Sequence, residues 1–179
     1  MPIEHAQADM RHGYYGGAAG VAMSALAWLV AAGAAWLRPE AAIVTLFVGG
    51  MLIHPGAVLL SRLLGRPGTH QRGNPLARLA VESTVWLLLG TAVAFLAARQ
   101  RPEWFFIAMA LTIGGRYFTF ATLYGVNIYW ACGATLAIGA FALAALHAPM
   151  FSIALTIGLL EAACAAVLFA REKGTLPIS

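Results

Sequence analysis

The chain has 179 residues, 61% of them hydrophobic and 10% charged, with a mean hydropathy of +0.79; soluble domains run near half apolar and about a quarter charged. A soluble core of this size cannot hide so much apolar surface, because most residues of a small domain still touch water, so the bilayer is the expected solvent. The formal charge of +4 does not indicate nucleic acid, since the arginines fall in loops between apolar runs, the pattern that orients a membrane protein.

In chain order, Met1 to His12 form a polar lead containing Glu4, Asp9 and Arg11. It lacks the net positive start of a signal peptide, so the first apolar run is expected to be a retained span. His5, Asp9 and His12 share one helical face by spacing, but in a polar terminus they read as a solvated tail. A span needs about 20 predominantly apolar residues, and six runs qualify: 16–37, 41–64, 76–98, 104–123, 127–146 and 150–170. Pro39, Pro75, Pro102 and Pro149 sit at or just before helix starts, where a missing N–H costs least. Gly125 and Asn127 mark a tight turn between the fourth and fifth runs. The segment Gly65–Asn74 is the longest connection, too short to separate domains, so the expectation is one all-α domain over residues 1–179, a bundle of six transmembrane helices.

At the head of the first span, Gly13, Gly16, Gly17 and Gly20 give small-xxx-small spacing, extended by Ala18, Ala22 and Ala25. Such a face lets backbones approach closely, within the chain or across a homo-oligomer. Arg38-Pro39-Glu40 and Arg101-Pro102-Glu103 precede the second and fourth spans, and Ala110–Gly114 recurs as Ala154–Gly158. Three tandem helical hairpins would produce these echoes; so would chance matching in a low-complexity apolar alphabet. Arg11, Arg62, Arg66, Arg72, Arg78, Arg171 and Lys173 fall on one side of the six spans, with Arg116 if it snorkels, against Arg38, Arg99 and Arg101 on the other. Both termini are therefore expected in the cytoplasm.

The fourth run carries an arginine, Arg116, beside Gly114 and Gly115. A guanidinium stays charged, so in hydrocarbon it must find a carboxylate, carbonyl, water or anion. His54, Glu82 and Glu161 lie at comparable depth in other spans, and an ion pair of Arg116 with Glu82 or Glu161 is the expected arrangement. Such a pair either latches helices, with Arg116 reaching the headgroups, or marks a substrate, ion or proton site. Tyr117, Phe118, Phe120, Tyr124, Tyr129 and Trp130 collect nearby, as interface anchors or as the lining of a pocket. The candidate ligand-binding residues are thus Arg116, Glu82, Glu161, His54, Tyr117, Tyr124 and Asn127. His54 precedes Pro55, where a kink is expected.

No metal site is expected, because His54 has no second His or Cys at ligand spacing. Cys132 and Cys164 lie in apolar runs and read as buried free thiols. No Walker lysine motif, HExxH, GxSxG or GxGxxG occurs, which weakens ATPase, metalloprotease and serine hydrolase readings and leaves no cofactor indicated.

Asn74-Pro75-Leu76 at the head of the third span, with Gly114-Gly115-Arg116-Tyr117 and Leu123-Tyr124-Gly125 in the fourth, resembles an uncharacterised family of small bacterial multi-pass membrane proteins, a domain of unknown function. The resemblance implies a bacterial inner-membrane location and brings no activity with it. The expected function is binding or transport of a small anionic or amphiphilic solute in the cytoplasmic half of the bundle. The alternatives are an accessory subunit packing beside a larger membrane complex and, third, an intramembrane enzyme using Glu82 and Glu161.

Overall fold

A computed structural model describes residues 1–174. Its helices are α1 (Ile3–Tyr14), α2 (Ala18–Leu37), α3 (Ala42–Leu63), α4 (Leu76–Ala98), α5 (Glu103–Tyr124), α6 (Ile128–Ala145) and α7 (Met150–Glu172). Six helical segments are long and apolar enough to cross a membrane, the first containing α1 and α2 together. The punctuation follows local chemistry. Pro75, Pro102 and Pro149 occupy the N-cap positions of α4, α5 and α7. Gly125, at φ 62°, ends α5 by donating its N–H to the Ala121 carbonyl, a left-handed stop that glycine adopts at little cost. Pro55 lies inside α3 without ending it.

The core is built from α2, α5, α6 and α7, whose fully buried side chains include Trp28, Phe105, Phe106, Tyr129, Leu136, Ile153 and Ile157. Helix α2 packs most extensively on α7 and then on α3, while α5 packs on α6 and α4. Helices α3 and α4 form the flanks, each burying few residues: Ala42, Leu46 and Ser61 on one, Leu76, Ser83 and Ala94 on the other. The tight α5–α6 contact is made by Gly114 and Gly133; a Cβ on Gly133 would lie 2.6 Å from the Gly114 carbonyl oxygen. Only a hydrogen fits between these backbones, and small residues are how helices approach without water to drive them together.

The N-terminal lead, expected as a solvated tail, is instead a docked helix. One face of α1 buries Ala6, Met10 and Gly13. The Gln7 amide donates to the Thr122 carbonyl at 2.7 Å, and the Arg11 guanidinium donates to the Tyr124 carbonyl. These are terminal carbonyls of α5, which have no intrahelical donor and carry the negative end of the helix dipole. Asp9 accepts from the Gln71 backbone N–H at 3.0 Å and from Asn74 Nδ2 at 2.7 Å, while Asn74 Nδ2 also donates to the Ala6 carbonyl at 3.0 Å. Arg66 reaches His12 Nδ1 at 3.0 Å, and Tyr14 and His70 hydrogen-bond at 2.8 Å. The connection Gly65–Asn74 is thereby closed over α1, and His12 and Asp9 belong to that closure.

The expected smooth glycine face is also rearranged. Tyr15, Gly16 and Gly17 all have positive φ (56°, 60° and 83°) and separate α1 from α2. Gly17 is confined further, because any Cβ there would run into the Tyr129 hydroxyl and the Tyr124 ring. Gly13 packs on the Thr69 backbone and Gly20 faces open space, so these four glycines do not form one helical stripe.

Candidate functional site

Arg116 lies on the face of α5 turned toward α4. Its Nε donates to Ser83 Oγ at 2.8 Å and Nη2 to Thr84 Oγ1 at 3.3 Å. Thr84 Oγ1 in turn donates to the Ala80 carbonyl at 3.0 Å. The guanidinium carbon sits 5.0 Å from the centre of the Phe120 ring. Among the described residues the ion pairs are Arg101–Glu103 and Arg171–Glu172, each at 3.6 Å; the expected pair of Arg116 with Glu82 or Glu161 is not formed. Magnitudes explain why none is needed. An arginine at mid-membrane costs about 2.5–3.5 kcal/mol on insertion scales. A hydrogen bond to a charged group returns about 1.5–3 kcal/mol, and a partly desolvated cation–π contact about 0.5–2 kcal/mol. Two hydroxyls and a ring therefore offset the burial while leaving the positive charge uncompensated.

Arg116 also lines a groove of about 610 Å³ between α4 and α5, with Ser83 and Thr119 near it and Trp86, Leu89, Val93, Ala108, Leu111 and Thr112 along the walls. From Ser83 to Val93 is ten residues of α4, or about 15 Å of helix. The groove opens sideways: Trp86, Leu89 and Val93 are all exposed on the outer face of α4. Gly115 adds no wall, since a Cβ there would meet nothing within 4 Å. The result is an apolar trough with one cation toward its α1 end.

Tyr117, one residue on, points the other way. Successive helical residues are about 100° apart, so Tyr117 enters the core and donates to Glu161 Oε1 at 2.6 Å. Glu161 is fully buried on α7. Tyr117, Phe120, Tyr124 and Tyr129 form a contiguous ring cluster with centres 5.6–5.8 Å apart, and the Tyr129 hydroxyl donates to the Gly16 carbonyl at 2.8 Å. Burial of Tyr124 and Tyr129 makes these rings core elements, where interface anchoring had been one expectation.

Of the sequence-derived residues, the structure brings together Tyr117 and Glu161, links Tyr124 to Tyr117 only through the rings of Phe120 and Tyr129, and sets Arg116 in the groove. Glu82 is exposed on α4; its neighbour Ser83 is the one turned inward, and a 100° step sends Glu82 outward. His54 is exposed on α3, far from the core face, and Asn127 is exposed at the N-cap position of α6 without a side-chain cap. The four ionisable groups therefore do not converge. Ser83 and Thr84, which hold Arg116, and Ser24, which faces Glu161 from α2, were not among the sequence candidates. Adjacent hydroxyls inside an apolar run were the available signal.

The model of a family of unknown function, DUF7010, matches residues 3–171. No curated protein and no solved structure matches the chain.

Proposed function

We propose that this chain, which belongs to the DUF7010 family of unknown function, binds an amphiphilic anion in the groove between α4 and α5. The anionic head would sit on Arg116 and the apolar tail along Leu89, Val93, Ala108 and Leu111. The observation that carries the reading is a guanidinium held, among the described residues, by neutral groups alone at one end of an apolar, laterally open trough. Among the described residues its Nη1 makes no hydrogen bond, and with the second N–H of Nη2 it offers donors to an incoming oxygen. A volume of about 610 Å³ falls in the range of small-molecule sites, roughly 300–1,000 Å³. Lateral opening suits a ligand drawn from the bilayer, and transport would follow from exchanging that ligand between membrane and water. The distribution of arginines supports cytoplasmic termini, and with that orientation Arg116 would lie in the cytoplasmic half; the bacterial inner membrane is the location that the family resemblance implies.

The test is thermal unfolding of purified protein in an uncharged detergent with a long-chain carboxylate, or with the alcohol of the same chain length. A ligand at 100 times its dissociation constant stabilises by about 2.7 kcal/mol. The carboxylate should stabilise wild type and not Arg116→Gln, and the alcohol should stabilise neither strongly. Equal effects of both compounds on both proteins would remove the proposal. The second reading, an accessory subunit, draws on the sparsely buried α3 and α4; co-purification of one fixed partner protein would favour it.

A further inference from the structure

A second polar centre lies across α5 from the groove and does not depend on it. Glu161 is enclosed by α2, α5 and α6, with one oxygen satisfied by the Tyr117 hydroxyl at 2.6 Å. Its other oxygen, Oε2, has no hydrogen-bond partner among the described residues, and neither has the Ser24 hydroxyl on α2, which faces the carboxyl. Trp28, one turn further along α2, also has an unpartnered buried Nε1. Among the described residues the titratable groups that meet Glu161 are Tyr117 from α5, Cys132 from α6 and Cys164 on α7 itself. None of them is positive in any protonation state. Arg116 is committed to Ser83 and Thr84 on the far side of α5. Arg171, ten residues along α7 and so about 15 Å away, pairs with Glu172.

A buried carboxylate with no cation beside it is among the costliest placements in a protein interior, and the usual escape is to become neutral. We propose that Glu161 is an intramembrane proton-binding site. A proton taken from hydronium forms an O–H bond on Oε2 and leaves water behind; the carboxylate becomes a neutral acid. The new O–H donates to Ser24 Oγ while the Tyr117 hydroxyl continues to donate to Oε1.

The donor set selects a proton over a metal ion. With Oε1 engaged, two oxygens remain, Oε2 and Ser24 Oγ, whereas hard divalent cations take six or more ligands. Among the described residues no group of three His, Cys, Asp or Glu is placed to hold a metal. The rings of Phe120, Tyr124 and Tyr129 pack beside Tyr117 on the α1 side of the site, so exchange with water on that side requires this cluster to part. Because Arg116 and Tyr117 are consecutive on α5, a shift of that turn would move the guanidinium and the proton site together.

The experiment is infrared spectroscopy of the full chain in lipid nanodiscs, following the C=O stretch of a protonated carboxylic acid in wild type, Glu161→Gln, Glu82→Gln and Tyr117→Phe. The expected result is a protonated-acid band at neutral pH that disappears in Glu161→Gln, survives in Glu82→Gln and shifts in Tyr117→Phe, where the hydrogen bond to Oε1 is lost. Raising the pH should convert the wild-type band reversibly into carboxylate bands. Two results overturn the proposal: loss of carboxylate rather than acid intensity in Glu161→Gln, or an acid band that ignores pH throughout the range in which the protein stays folded. If Glu161→Gln does not fold, the presence or absence of the Tyr117→Phe band shift decides the assignment alone. Arg116→Gln should leave the band in place, which separates this site from the groove.

Discussion

At the scale of single residues, Arg116 and Tyr117 show how one step along a helix divides two kinds of polar chemistry. Arg116 exchanges hydration for two hydroxyls and a ring, whereas Tyr117 supplies the single described hydrogen bond to a buried carboxyl. The energetic consequences differ. Tyr117→Phe removes the described donor to Glu161 Oε1, and such a loss costs about 1–3 kcal/mol. Arg116→Gln retains an amide that reaches toward Ser83 from a half-buried position. Thermal or denaturant unfolding in detergent should therefore rank Tyr117→Phe as the more destabilised variant. The opposite order would mean that Arg116 is a latch between α4 and α5 rather than a free cation.

At the scale of elements, α1 acts as a clamp on the end of α5. Arg11→Ala removes the donor to the Tyr124 carbonyl and a positive group at a helix C-terminus, which is expected to cost about 0.5–2 kcal/mol and to raise hydrogen exchange in the last turn of α5. Two glycines a few residues apart make a sharper test of the α1–α2 junction. Gly17→Ala forces a side chain into left-handed backbone and into the rings of Tyr124 and Tyr129, so it should lose at least about 1–3 kcal/mol. Gly20→Ala meets open space inside α2 and should be neutral or gain about 0.5–1 kcal/mol. If both substitutions behaved alike, the four glycines would be one packing face after all.

At the scale of the whole molecule, one end carries α1, the connection Gly65–Asn74, the turn at Gly125 and the end of α7, where Glu172 lies beside Gly16. The proposed orientation puts that end in the cytoplasm. Cysteines introduced at exposed Gln71 and Gln100 should then react with a membrane-impermeant maleimide from opposite sides of oriented vesicles, Gln71→Cys from the cytoplasmic side. The reverse pattern would invert the topology and move the Arg116 end of the groove to the outer leaflet.

The amino-acid sequence alone fixes the number, length and order of the helices long and apolar enough to cross a membrane. Hydrocarbon thickness demands about 20 apolar residues at a time, and prolines and glycines at the ends admit few alternatives. The six expected runs accordingly meet α2 to α7 with small shifts at their ends. It also marked Arg116, Tyr117 and Glu161 as unusual, because charge and hydroxyl at membrane depth stand out from any apolar background. Helix rotation was decided only in the tertiary structure, since a segment that is apolar all round looks the same from every side. Close contacts such as Gly114 on Gly133 set α5 so that Arg116 meets Ser83 while Tyr117 meets Glu161; Glu82 on α4 and His54 on α3 face outward. The docking of α1 was equally out of reach of hydropathy. It depends on side chains of α1 meeting carbonyls more than a hundred residues away at the end of α5 and an amide in the closed connection, partners that exist only once those elements are packed.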